Sequence, residues 1–191
     1  MKYIKTYEAY VENSNFFRFS KTEISSPEIS PIEVKHMPGD PNYIQILLDF
    51  GFPDLRKCIH FMDEIAFKDT KEQFVYKNFY GSYAYKVNID SDSKLGWSFM
   101  TQANNWWYKS NPYNYLKRTK EIVRELDESG YGILDFESSP VEESKIEIKK
   151  LIDFGLLGKG SLSDLMSSKF WNKENVYLWT EDKVKIEKFQ R

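Results

Sequence analysis

The stretch that decides the fold is Ser82-Tyr83-Ala84-Tyr85-Lys86-Val87-Asn88-Ile89-Asp90-Ser91-Asp92-Ser93-Lys94-Leu95-Gly96-Trp97-Ser98-Phe99-Met100-Thr101. Two runs rich in aromatic and β-branched residues flank a polar turn, Asp90–Ser93. Large rings and branched side chains fit a pleated, half-buried surface, so both runs read as strands. In the first run Tyr83, Tyr85 and Val87 alternate and therefore share a face. With Gln73 to Tyr80 before them, ended by Gly81, they predict a three-strand antiparallel meander.

Working outward, residues 16–24 alternate through Phe17 and Phe19 and predict a strand. Ile32 to Met37 predicts a short one, ahead of the Pro38-Gly39-Asp40-Pro41 turn. Tyr43 to Phe50 places Ile44, Ile46, Leu48 and Phe50 at period two and reads as another strand. Leu55, Cys58, Ile59, Met62, Ile65 and Ala66 recur at helical spacing and predict a helix over 54–67. Further helices are expected over 3–12, 113–129 and 140–154. The last is marked by Ser139, Pro140 and Glu142 as a capping box with an N-terminal proline. A strand is expected over 131–136 and a short helix over 161–170. Strands at 176–180 and 184–189 read as a closing hairpin around Glu181-Asp182.

These elements predict an α+β fold. The expected architecture is an antiparallel sheet of five to seven strands, with about three main helices (54–67, 113–129, 140–154) mostly on one face. Residues 1–191 read as a single domain, with 172–191 as a C-terminal hairpin appended at an edge.

Composition narrows the function. The chain has 191 residues, 41% hydrophobic and 29% charged, with formal net charge −2. That balance speaks against a general nucleic-acid coat or a polybasic membrane binder. The single cysteine, Cys58, allows no internal disulfide and suits a reducing cytoplasm. No run approaches a membrane span and the N-terminus shows no apolar signal core, so a cytoplasmic protein is expected. Charge is blocked. Residues 1–72 carry nine cations and twelve anions, and 73–118 carry six cations and two anions. Residues 119–147 carry three cations and nine anions, and 148–191 carry nine cations and six anions. Such blocks can neutralise one another within the fold.

The stretch 73–118 also holds 13 of the 32 aromatic residues. Rings beside positive charge are how a protein holds a planar or anionic partner. Its densest part is Asn104-Asn105-Trp106-Trp107-Tyr108-Lys109. Adjacent tryptophans cannot both face one core from a single strand, which leaves two readings: both rings cover the end of the meander, or the segment is a loop with one ring exposed. Trp106, Trp107, Tyr108, Lys109 and Tyr113, with Trp97 and Lys86, are the candidate binding residues. A protein partner or self-association is the first expectation, with Lys109 steering an acidic patch. Binding of single-stranded nucleic acid or a nucleotide is the second, by stacking on Tyr83, Tyr85 and Trp97.

No cofactor or metal is expected, because the catalytic and metal motifs fail in detail. Gly155-Leu156-Leu157-Gly158-Lys159-Gly160-Ser161 lacks the adjacent Lys-Ser of a phosphate loop and follows a helix rather than a strand. Asn88, Asp90 and Asp92 have calcium-loop spacing but lack its glycine and terminal glutamate. Asp135 and Glu137, followed by Glu147-Ile148-Lys149, are similar to the acidic-then-Glu-x-Lys pattern of restriction-endonuclease-like nucleases. That resemblance would imply a metal-dependent hydrolase with Asp135, Glu137, Glu147 and Lys149 as its centre. In that family the triple sits on a strand, whereas here it falls in a predicted helix.

The opening Met1-Lys2-Tyr3-Ile4-Lys5-Thr6-Tyr7-Glu8 resembles the starts of many small proteins of large tailed bacteriophages. The wealth of Phe, Tyr, Met, Ile, Asn and Lys fits an AT-rich genome. The resemblance implies a phage-encoded protein acting in the host cytoplasm.

Overall fold

The computed structural model describes residues 15–31, 41–72, 83–99 and 141–189. Its elements in chain order are β1 (Phe16–Ser20), β2 (Glu28–Ile29), α1 (Pro41–Asp49), β3 (Ile59–Asp63), α2 (Glu64–Glu72), β4 (Tyr83–Asn88), β5 (Leu95–Phe99), α3 (Val141–Phe154), β6 (Leu157–Gly160), α4 (Leu162–Met166), β7 (Val176–Thr180) and β8 (Val184–Lys188). The fold is α+β: one antiparallel sheet of eight strands, ordered β2-β8-β4-β1-β3-β7-β5-β6. Eight exceeds the five to seven expected.

The order corrects two pairings. β4 and β5 exist where the sequence put them, but they do not form a meander: β4 pairs with β1 and β8, and β5 with β7 and β6. β7 and β8 likewise do not form a closing hairpin. β7 lies between β3 and β5, and β8 between β2 and β4. Tight turns between alternating runs suggest hairpins, but tertiary pairing chose other neighbours.

The short link between β7 and β8 dictates the sheet's shape. Three residues, 181–183, join strands four positions apart. A flat sheet would separate them by about 19 Å. The link reaches about 14 Å at most. The sheet therefore curls, bringing β2-β8-β4-β1 over β3-β7-β5-β6. The bend is at β1–β3, whose ladder has only two residue pairs, Phe16 with Asp63 and Phe17 with Met62. Val184, Ile186, Tyr85 and Val87 from one half and Leu95, Trp97, Phe99 and Leu178 from the other accordingly share one buried cluster. The link is pinned at both sides. Glu181 accepts the Asp54 backbone N–H at 2.6 Å, and Asp182 accepts that of Lys94 at 2.8 Å.

Helices α1, α3 and α4 contribute Ile44, Ile46, Leu47, Ile148, Leu151, Leu162 and Leu165 to the same core. The outer face has its own smaller cluster. There Ala66 and Phe67 of α2 pack on Phe17, Met62 and Ala84, and Phe17 stacks on Phe67 at 4.2 Å. The helices thus serve both faces.

Two secondary-structure expectations are overturned. Residues 41–49 are a helix, not a strand. Leu47, which period two sends outward, is buried, while Gln45 and Asp49, four apart, are exposed and hydrogen-bonded at 2.9 Å. That i,i+4 polar pair is the solvent side of a helix. Gly51 at φ +75° ends it, with Phe52 N–H bonding Leu47 C=O and Gly51 N–H bonding Leu48 C=O. The helix expected over 54–67 is instead a 3₁₀ turn, β3 and α2. β3 is central, so side chains on both its faces are buried, and a two-sided strand is easily mistaken for a helical stripe. Asp63 makes the switch. Its carboxylate caps α2 by accepting the Ala66 N–H at 2.9 Å and also accepts the Val176 N–H at 3.3 Å.

The helix expected over 140–154 is present from Val141, and the helix expected over 161–170 is present as Leu162–Met166. Ser161 and Asp164 cap α4 reciprocally. The elements expected over 3–12, 32–37, 73–80, 113–129 and 131–136 lie outside the described residues.

Two glycines sit beneath indoles. Trp97 lies over Gly158 of β6, and Trp179 over Gly96 of β5; a Cβ on either glycine would come within 2.2 to 2.3 Å of the ring. Gly158→Ala is therefore expected to cost about 1–3 kcal/mol through overpacking, read as a lower urea midpoint. An unchanged midpoint would refute the close packing. A chain ending at residue 172 is expected to lose cooperative melting altogether, since β7 and β8 each lie between two other strands. A folded truncate would mean that they are an appendage after all.

Candidate functional site

The structure separates the candidate binding residues it describes. Trp97 is buried, 4% exposed, on the inner face. Tyr85, at 1%, is also inside, and its hydroxyl accepts the Ile24 N–H at 2.6 Å. Tyr83 is half-buried against the same core. Their ring faces are engaged in packing, which removes Tyr85 and Trp97 as a stacking platform.

Lys86 lies on the other face of the sheet, because residues alternate along β4. It stands opposite Glu187 of β8, and the next strand pairs Lys185 with Glu28. This end of the outer face is a ladder of alternating charge, which cross-strand pairing favours. Lys86 and Trp97 are thus on opposite faces and four strands apart along the sheet. Trp106, Trp107, Tyr108, Lys109 and Tyr113 lie outside the described residues.

Of the hydrolase candidates, Asp135 and Glu137 lie outside the described residues. Glu147 and Lys149 are on α3, a helix rather than the strand of the nuclease pattern. The Lys149 ammonium pairs with Asp153 at 2.6 Å, an i,i+4 contact on an exposed helix surface. The glycine-rich segment 155–161 is a helix stop, strand β6 and the cap of α4. Lys159 donates to the Phe50 carbonyl and stands 5.8 Å from the centre of the Phe52 ring. Asp90 lies in a turn closed by the Ser93 N–H. Among the described residues no three His, Cys, Asp or Glu side chains converge as a metal site. Among the same residues no helix is long and apolar enough to cross a membrane.

Cys58 and His60 flank the start of β3. Cys58 is buried, as expected of a small core residue. Burial raises its thiol pKa, and the negative charge of Glu181, Asp54 and Asp182 adds to the effect. The thiolate, the reactive form, is thereby suppressed. The His60 Nε2–H donates to the Leu55 carbonyl at 3.0 Å, which fixes the tautomer, since a carbonyl only accepts. Burial holds the imidazole pKa below its ordinary range; the Leu55 contact opposes this and Arg18 reinforces it.

Sequence reasoning passed over Arg18. It sits between Phe17 and Phe19 and faces inward beside Tyr85. Its Nη1 donates to the His60 carbonyl at 2.9 Å, at the point where β1 and β3 diverge. Its Nε is shut off from solvent and has no acceptor among the described residues. The available signal was a charged residue inside an alternating aromatic strand.

No family model matches the chain, and neither does any curated protein or solved structure.

His60 makes stability depend on pH. Its native pKa is depressed, so below about pH 6.5 the unfolded chain binds the proton more readily than the native state. Stability is therefore full above that pH and is lost as the pH falls towards the lower native value. Thermal melts between pH 7.5 and 5 should show a falling Tm, and His60→Gln should flatten that slope while His36→Gln leaves it. Equal slopes in all three proteins would exclude His60 as the cause.

Proposed function

We propose that the protein is a non-enzymatic binding protein that engages a protein partner, or a second copy of itself, through the segment around 104–115. The supporting observation is where the sheet uses its rings. Tyr85, Trp97 and Trp179 are enclosed by packing, and Lys86 faces a charge-paired outer surface. Beyond Phe99 the same stretch continues with a dense set of rings and cations. Residues 104–118 hold Trp106, Trp107, Tyr108, Tyr113 and Tyr115 with Lys109, Lys117 and Arg118, and no Asp or Glu. Tryptophan and tyrosine are favoured anchors in interfaces because each buries a large rigid area while keeping a polar handle. In this reading Trp107, Tyr108 and Tyr113 are the anchors, with Trp106 beside them. Lys109 steers an acidic surface towards them. The resemblance of the N-terminal dozen residues supports a phage-encoded protein and a partner in the host cytoplasm.

The test compares the native chain with Trp107→Ala and, as a control, Lys86→Ala. Sedimentation gives the oligomeric state, and immobilised protein gives the partners retained from a lysate. Loss of an interface anchor costs about 2 kcal/mol or more, so Trp107→Ala should weaken association at least about thirtyfold. Lys86→Ala should change neither measurement. The same oligomer and the same partners with Trp107→Ala would refute the proposal.

A further inference from the structure

We draw no further inference here: the strongest candidate, the side-chain cluster of Arg18 and His60 where β1 and β3 part, carries nothing beyond the pH-dependent stability already derived, because it rests on the shifted titration of one imidazole and on a hydrogen bond that serves the sheet junction itself.

Discussion

Three residues, Glu181 to Lys183, carry the chain from the middle of the sheet to a strand four positions away. They are too few to cross a flat sheet, so the sheet has to curl. Most of the molecule's organisation follows. The curl brings β8 and β4 over β7 and β5 and creates an inner face. That face gathers Tyr85, Val87 and Ile186 with Trp97, Leu178 and Phe99 in one cluster. The bend falls at the β1–β3 ladder, which keeps only two residue pairs. Where those strands part, a His60 carbonyl is left to be answered by a side chain, and Arg18 answers it.

The pair of indole-on-glycine contacts lets the other half of the sheet pack tightly while curving. Trp97 covers Gly158 on the inner face, and Trp179 covers Gly96 on the outer. Trp179 also ties the loop after α1 to the sheet, through its N–H to the Pro53 carbonyl at 3.2 Å and its stacking on Phe52. An aromatic ring over a cross-strand glycine restores the packing the glycine lacks. These tryptophans are structural for that reason. Two of the chain's five tryptophans thus answer an architectural need.

Several features were legible from residues alone. The alternation in Tyr83–Val87, the short helix after Ser161 and the helix before Gly155 appear where local chemistry puts them. Their signals are self-contained, since a cap, a stop and a period need only neighbours in sequence. The run Tyr43–Phe50 misled because six hydrophobic residues in eight satisfy two periods at once. Gln45 and Asp49, a polar pair one helical turn apart, were the deciding residues. The stretch Cys58–Asp63 misled because a strand buried on both faces has no alternation to show. The grouping of Trp97 with Lys86 failed for a topological reason. Only ten residues lie between them in sequence, but that short piece of chain passes from one half of the sheet to the other.

The sequence by itself determined the α+β character, most strand and helix positions after residue 82 that are described here, the absence of an internal disulfide and the clustering of rings and cations around 104–118. These follow from residue type, spacing and count. Long-range structure set which strands are neighbours, which face each described ring occupies, and that Arg18 lies on the inner side of β1, with no carboxylate partner among the described residues. Those depend on long-range pairing and on how far a three-residue link can reach, and a backbone's choice among equally alternating partners leaves no mark in local sequence.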